Sequence, residues 1–257
     1  RALAQAIDRE EITEGLRRGY GEVAVGPIMP LHWSFDPDLP PLPYAPDSAA
    51  ALLVRAGFQD TDGDGMLNHP DGAPFTIDLK YPAASDFNRD VAEAVRGDLA
   101  RVGVEVRPRP TETSTLFADV TSPDRNFDAA LLGWSGDFRL DFRDVFHSDN
   151  LDGPYQFASY GNPAVDSLLD RATLEADRAR ATPLWRRLQE ILREEQPWSP
   201  LYYQTDAFLI RERVGNVRMD IRGALVNVTD WWVDAPAPAD SIQAPGVDAD
   251  AGDDQVG

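Results

Sequence analysis

The residues from Phe127 to Asp137 bring an indole ring, two glycines and a carboxylate into one short segment. Trp134 can attract a cation through the face of its ring, and Asp137 can pair with that cation as an anion. Gly133 and Gly136 permit a tight turn and a close approach of the backbone to a ligand. These residues, which we call the Trp134 segment, therefore predict a receptor for a cationic group. The alternative is a strand-to-loop junction with a core Trp and a solvated Asp.

A second constellation consists of Asp60, Asp62, Asp64 and Asp71, which have the spacing of a calcium-binding loop. In that numbering the first three carboxylates occupy positions 1, 3 and 5, Gly65 occupies position 6, and Asp71 occupies position 12. A complete site carries Glu at position 12, and the proline before Asp71 prevents the exiting helix of an EF-hand. The loop predicts either a weak, structural Ca²⁺ site or a solvated acidic turn.

Charged and aromatic residues follow the Trp134 segment along the chain. Arg139 and Arg143 can anchor a ligand carboxylate, and a salt bridge to a neighbouring Asp is the alternative. His147 is most simply a helix-end or surface residue, with metal ligation as the minority interpretation. The aromatic residues that follow either line a cleft or pack inside the protein: Tyr155, Phe157 and Tyr160.

Patterns for catalysis are missing from the sequence. It has three histidines without metal-pair spacing, no cysteine, no Gly-x-Ser-x-Gly elbow, and neither a Walker motif nor a dinucleotide glycine motif. We therefore predict that the protein is not an enzyme. A hydrolase whose catalytic carboxylates are hidden among the 44 acidic residues is the remote alternative.

Composition sets further limits. The chain has 257 residues and a net charge of −20, from 24 basic and 44 acidic side chains, which excludes nucleic acid as an expected partner because phosphate binding needs clustered cations. No apolar run approaches the ~20 residues that span a bilayer. Residues 234–257 consist mainly of Ala, Pro, Gly and Asp, and this composition predicts a disordered tail.

Periodic patterns predict alternating helices and strands, and hence an α/β fold. Predicted helices cover 1–18, a segment capped by Asp47 or Ser48 and ending at Gly57, 86–101, and two segments opened by Asn162-Pro163 and Thr182-Pro183. Predicted strands cover 75–81, 104–106, 201–203, 207–210 and 224–226, together with a strand at 127–133 that is expected to be buried on both faces. A proline-rich loop is predicted over 22–46.

Five stretches, in order, resemble the family 5 extracellular solute-binding proteins, the peptide- and nickel-type binding proteins of ABC importers. The resemblance covers roughly residues 1–233. It is carried by Arg1-Ala-Leu-Ala-Gln-Ala-Ile-Asp-Arg-Glu-Glu-Ile12, Asp47-Ser-Ala-Ala-Ala-Leu-Leu-Val-Arg-Ala-Gly-Phe58, the acidic turn from Asp60 to Gly72, Gly133-Trp-Ser-Gly-Asp137, and Trp185 to Pro197 with Pro200-Leu-Tyr-Tyr203.

The resemblance implies a mixed sheet with flanking helices, similar to type II periplasmic binding proteins, in the C-terminal lobe of a two-lobed protein. Residues 1–200 would form this ligand-binding lobe, 201–233 would be strands returning toward a first lobe, and 234–257 the tail. Because Arg1 falls where the family's second lobe begins, we expect the chain to be a fragment that lacks the first lobe and any export signal.

The resemblance also implies a function: capture of a small peptide or similar solute between the lobes and delivery to the permease subunits of an ABC importer. The protein would be periplasmic or extracellular, with a lipid anchor on the missing N-terminus as an open alternative. It would have no cofactor, and a structural calcium ion at the acidic loop stays an open alternative to a common structural turn of the family. Asp137 would hold the ligand's α-ammonium group, beside a wall formed by Gly133 and Trp134. Relatives usually continue with Asp-Pro, whereas this chain has Phe138-Arg139, so the ligand class stays open. The alternative function is a secreted calcium-binding interaction module.

Overall fold

The computed structural model describes residues 1–135, 140–205 and 207–234. The chain divides into two compact units, Arg1–Asp206 and Ala207–Gly257. The described residues of the first unit form a hydrophobic core around a parallel sheet and another among helices. Among the described helices, none is both long enough and apolar enough to cross a membrane.

The parallel sheet has the strand order β3-β2-β4. Strand β2 (Thr76–Pro82) pairs along its whole length with β3 (Glu105–Thr111) and, on its other side, with β4 (Ala129–Ala130). Helix α3 (Asp86–Ala100) joins β2 to β3, and α4 (Thr113–Thr121) lies between β3 and β4. Parallel neighbours need such crossover connections, so the alternation of helix and strand in the sequence produces this sheet directly.

Helix α3 agrees closely with its predicted form. The Ser85 side chain caps it by accepting a hydrogen bond from the third backbone N–H of the helix. Val91, Val95 and Leu99 are buried on one face, as their spacing predicts. Gly103 ends the turn with φ +79°, and a Cβ there would lie 3.0 Å from the Leu67 side chain. Both the backbone angle and the contact therefore favour glycine.

Short elements precede and follow the sheet in sequence. They are α1 (Ala2–Ala6), a π-helical turn at Glu11–Leu16, β1 (Gly21–Val23), α2 (Pro46–Arg55) and β5 (Tyr202–Gln204), which pairs antiparallel with β1. Between β1 and α2 the chain has neither helix nor strand, as the prolines predict.

The second core of this unit lies among helices. Helix α5 (Arg143–Phe146) leads into a 3-10 turn at Ser148–Asn150, followed by α6 (Pro163–Leu174) and α7 (Arg178–Glu195). The buried side chains that these helices share include Phe146, Val165, Leu169, Trp185 and Leu188. Asn162 caps α6 through its side chain, with Pro163 as the first helical residue, as predicted.

The predicted start of α7 is wrong. The helix begins at Arg178 rather than at Thr182-Pro183, and Pro183 lies inside it. The Asp177 side chain accepts a hydrogen bond from the Ala179 N–H at 2.8 Å and so occupies the capping position. The Thr182 hydroxyl donates to the Arg178 carbonyl within the helix instead of capping it.

Two other helix predictions need correction. The helix expected over 1–18 is broken at Ile7, whose backbone is extended. The break occurs there because the Asp8 N–H donates to Asp98 Oδ2 at 2.8 Å and not to a carbonyl of the helix. Helix α2 begins one residue before Asp47, at Pro46, and its N-cap Ala45 makes no side-chain bond. A proline at the first position starts the helix without such a cap.

Three strand predictions also need correction. The segment expected over 127–133 forms only β4, whose two residues are half-buried. Among the described strands β4 pairs with β2 alone, so it lies at a sheet edge rather than in the interior. The strands expected at 207–210 and 224–226 do not form, and neither segment has a ladder partner in the part of the chain that the structure describes.

Among the described residues of the second unit, β6 (Val214–Gly215) pairs antiparallel with β7 (Trp232–Val233), and a 3-10 turn lies at Val228–Asp230. The predicted disorder of residues 234–257 falls, except for Asp234, outside the described residues.

Candidate functional site

The Trp134 segment emerges at the carboxyl end of the parallel sheet. Ala130 of β4 pairs with Lys80 of β2, and the Leu131 N–H extends the ladder by donating to the Lys80 carbonyl at 2.8 Å. The chain then leaves the sheet, and Gly133 and Trp134 are exposed. In open α/β sheets, ligands bind outside the carboxyl ends of the strands. Gly133 and Trp134 therefore lie at the edge of the sheet where ligands bind in folds of this kind.

Lysine 80 fixes the chain just before this site. Its ammonium group donates to Asp119 Oδ2 of α4 at 2.8 Å and to the Asn126 carbonyl at 2.6 Å. The Lys80 and Asp119 side chains are 19% and 23% exposed. The only lysine of the chain thus ties β2 to α4 and to the loop that enters β4.

Trp134 is a surface residue rather than the core Trp of the alternative interpretation, because 44% of it is exposed. Its ring contacts Tyr155 edge-on at a centroid distance of 6.4 Å and Trp198 at 5.8 Å. Tyr155 in turn meets Phe157 at 6.5 Å, and Trp198 meets Phe146 of α5 at 5.0 Å. We call these five residues the aromatic cluster.

Sequence reasoning anticipated this cluster only in part. The sequence predicts that Tyr155 and Phe157 either line a cleft or pack. In the structure Tyr155 contacts Trp134, and Phe157 contacts Tyr155. Trp198 was not singled out, and the signal that could have found it is a Trp directly after the helix-terminating Pro197. Tyr160 has a structural role, since its hydroxyl donates to Glu195 at the end of α7.

Gly136, Asp137 and Arg139 lie outside the described residues, so their predicted roles stay predictions. Arg143 is described and is half-exposed. Its guanidinium pairs with Asp141 through two bonds, at 3.1 Å from Nε and 2.9 Å from Nη2. Hydrogen bonding to this carboxylate raises the pKa of Arg143. The predicted alternative, a salt bridge from Arg143 to a neighbouring Asp, therefore forms and engages two nitrogens of the guanidinium group.

His147 ends helix α5 and is buried. Its Nδ1 accepts the Asp149 N–H at 3.1 Å, and its Nε2 lies 3.6 Å from Asp170 Oδ1. A neutral ring that accepts at Nδ1 carries its proton at Nε2 and has no lone pair there for a metal. The geometry thus favours the helix-end interpretation over metal ligation.

The acidic loop brings three of its four candidate ligands together. Carboxylate oxygens of Asp60, Asp62 and Asp64 lie within 4.8 Å of one another, and all three residues are exposed. Asp60 accepts the N–H groups of Gly63 at 2.7 Å and Gly65 at 3.0 Å, and these bonds lower its pKa. Asp71 is outside this group and accepts the Ala73 N–H instead. The loop has the hydrogen bonds of an acidic turn whether or not an ion binds.

Comparison with known proteins identifies the family. Residues 1–148 match the model described as bacterial extracellular solute-binding proteins, family 5 Middle. The chain is 32% identical over 234 residues to the oligopeptide-binding protein AppA of Bacillus subtilis, a match covering 90% of this chain and 43% of AppA. It is 25% identical over 221 residues to di/tripeptide-binding protein 1 of Pseudomonas aeruginosa, covering 85% of this chain and 39% of that protein.

Solved structures agree with this match. The structure of AppA from Bacillus subtilis in complex with a nonapeptide superposes with a TM-score of 0.81 at 31% identity, over 91% of this chain and 47% of AppA. A mannohexaose-bound oligopeptide-binding protein of Thermotoga maritima superposes with a TM-score of 0.72 at 26% identity, over 86% of this chain and 44% of the other.

The chain belongs to the family 5 bacterial extracellular solute-binding proteins. Its predicted fold class is confirmed: the described part is a partial lobe of the type II periplasmic-binding-protein fold. The chain spans about two fifths of the length of the curated relatives it matches. Members of this family are periplasmic or extracellular solute-binding proteins.

Proposed function

We propose that the chain forms the second lobe of a substrate-binding protein that captures a small peptide and delivers it to an ABC importer. Support comes from the match to the peptide-binding AppA over nine tenths of this chain. A second support is the position of Trp134 at the carboxyl edge of the sheet, beside Asp137 in sequence. In this proposal residues 1–200 are the ligand-binding lobe and 201–233 return toward a first lobe.

The proposed mechanism is binding without chemistry. A peptide's α-ammonium group pairs with Asp137, while Gly133 and Trp134 form the adjacent wall. Two α/β lobes that close around a ligand couple affinity to closure. Arg139 is the proposed anchor for a ligand carboxylate. Arg143 can serve there only by exchanging its present partner Asp141.

Other functions have less support. The relatives are transport proteins rather than enzymes, which favours the proposal that this chain has no catalytic activity. The alternative of a secreted calcium-binding interaction module finds no support among the relatives. A calcium ion at Asp60, Asp62 and Asp64 would be structural, because these residues lie in the turn after α2 and are not part of the Trp134 segment, which is proposed to bind the ligand.

The test is the variant Asp137→Asn in the protein translated from the complete reading frame that contains this chain. The substitution keeps the shape of the side chain but removes the charge that faces the ammonium group. Truncating one partner of a desolvated charge pair costs about 2–5 kcal/mol, which is at least some thirtyfold in affinity. Isothermal titration with a free tetrapeptide should show this loss.

Two controls make the result specific. An N-acetylated peptide should bind wild type and Asp137→Asn about equally weakly, because it lacks the ammonium group. Asp47→Asn, on the exposed start of α2, should leave the affinity for the free peptide unchanged. An unchanged affinity of Asp137→Asn for the free peptide would remove Asp137 from the site.

A further inference from the structure

The imidazole of His147 caps the 3-10 turn that follows helix α5. Its Nδ1 accepts the Asp149 N–H at 3.1 Å and so does what a Ser or Asp side chain does at most N-caps. Only 10% of the side chain is exposed, so little water has access to this bond. The ring must be neutral in this role, because a protonated Nδ1 is a donor and cannot accept an N–H.

The cap lies at the start of a series of backbone hydrogen bonds. The Asn150 N–H donates to the His147 carbonyl at 3.0 Å, and the Gly153 N–H donates to the Asn150 carbonyl at 2.7 Å. We call residues 148–156 the capped loop. It includes Tyr155 of the aromatic cluster, so the cap helps to hold the backbone that carries this ring.

The charges around the ring favour the opposite, protonated state. His147 borders an open depression of about 290 Å³. Asp149 Oδ2 lies 3.7 Å from Nδ1, and Asp170 Oδ1 of α6 lies 3.6 Å from Nε2. The other charged side chains that line the depression or contact the turn are Asp141, Arg143, Asp144 and Asp166. Carboxylates outnumber the single guanidinium here, and nearby carboxylates favour the charged form of a histidine.

We propose that His147 is a pH-sensitive switch, which caps the turn at Ser148–Asn150 when neutral and releases it when protonated to pair with Asp149 and Asp170. The two states exclude each other, because Nδ1 cannot accept the Asp149 N–H and donate to the Asp149 carboxylate at the same time. The charge of histidine ordinarily changes between about pH 5 and pH 8, so mild acid drives the change. This inference goes beyond the proposed function and does not depend on it.

Hydrogen exchange tests the switch in the protein translated from the complete reading frame. Peptides that cover the capped loop are followed by mass spectrometry at about pH 8 and about pH 5.5, on either side of the ordinary histidine transition. Each rate is divided by the intrinsic rate of an unstructured chain at that pH. The corrected rate should be about fivefold or more higher at the lower pH, because one N-cap bond contributes about that factor to closure of a turn. Strand β2 should not change and is the internal reference.

Two variants separate this switch from other titrating groups. His147→Asn keeps an acceptor for the turn but has no charge to gain, so its corrected exchange should equal that of wild type at the higher pH and should not change with pH. Asp170→Asn removes a carboxylate that favours the protonated ring, and it should move the midpoint of the exchange profile about half a pH unit lower. Asp47→Asn, on the exposed start of α2, is the matched control and should leave the midpoint unchanged.

The opposing outcomes are distinct. Corrected exchange that is equal at the two pH values in wild type would overturn the switch, and so would an acceleration that persists unchanged in His147→Asn. Fast exchange of His147→Asn at both pH values would mean that Asn does not replace the cap, and Asp170→Asn then decides. A midpoint equal to that of wild type overturns the proposal, and a lower midpoint supports it. No peptide takes part in these measurements, so their failure would leave the proposed function intact.

Discussion

Single side chains in this protein take their roles from the backbone groups around them. Asp60 is exposed, yet its carboxylate accepts two backbone N–H groups across the acidic turn. Lys80 is placed similarly by its surroundings, because one ammonium group satisfies both the Asp119 carboxylate and the Asn126 carbonyl. The sequence identifies such residues as charged, but their partners depend on where the turn or the neighbouring strand brings a free donor or acceptor.

The turn at Asp60 gives a prediction about stability and pH. Its backbone hydrogen bonds lower the pKa of Asp60 below the ordinary value. A carboxyl group with a lowered pKa contributes stability above its unfolded-state pKa, near 4, and that contribution disappears as the pH falls through the lowered value. Asp60→Ala should therefore lower the melting temperature at pH 7. The difference from wild type should shrink as the pH is lowered through this range.

The same pair of proteins tests the calcium proposal. A ligand that binds only the native state stabilises it by mass action, so millimolar calcium should raise the melting temperature of wild type and chelator should reverse the rise. Asp60→Ala should not respond. Identical melting of wild type in calcium and in chelator would leave the acidic turn as the sole role of Asp60, Asp62 and Asp64.

Helix α7 shows how one polar side chain positions an element. Gln189 is fully buried, and its amide donates to the Ser34 carbonyl at 3.0 Å and to the Trp185 carbonyl at 3.1 Å. Its Oε1 accepts the Asp36 N–H at 3.4 Å. The residue thus holds the proline-rich loop against the helical core, in a segment that has no regular secondary structure of its own.

Removal of the hydrogen bonds between Gln189 and the proline-rich loop should lower the free energy of unfolding. Gln189→Leu leaves the Ser34 carbonyl and the Asp36 N–H unpaired, and each unsatisfied buried group costs about 1–3 kcal/mol. We expect urea unfolding to show a loss of at least about 2 kcal/mol. Arg187→Ala, on the exposed face of the same helix, should change stability by less than about 0.5 kcal/mol. Equal effects of the two substitutions would show that the buried amide is not a support of the loop.

The helices and strands also show which parts of the fold could be predicted from the sequence. Helix α3 was predictable because its apolar spacing and its glycine stop agree, and the start of α6 because Asn162 is followed by a proline that can open a helix. The start of α7 was not, because Asp177 competes with Thr182 for the cap and a proline is tolerated inside the helix. Strand predictions failed at 207–210 and 224–226, because strand formation depends on a pairing partner that local sequence does not specify.

The candidate site was predictable by type more than by geometry. Gly133 and Trp134 were placed at a strand end from their own segment, and the structure brings them to the sheet edge. Their contacts with Tyr155 and Trp198 join residues 21 and 64 positions away (155 − 134 and 198 − 134), and such contacts arise only from packing of α5, α6 and α7. Sequence patterns carry little information on separations of this size.

At the scale of the whole molecule, one wall of a cleft should bind a ligand weakly. Ligand sites bury most of a ligand's surface, and a lobe that is alone gives up much of that burial. A ligand with micromolar affinity has about −8 kcal/mol of binding free energy, and half of that corresponds to a millimolar affinity.

The 257-residue chain should therefore bind a peptide at least about a hundredfold more weakly than the protein from the complete reading frame. Parallel titrations with one tetrapeptide measure the ratio. The isolated chain should also self-associate in sedimentation as its concentration rises, because it exposes large apolar side chains such as Trp134 and Tyr155. Equal affinities of the two proteins would mean that the described lobe holds a complete binding site, and the two-lobed proposal would then be wrong.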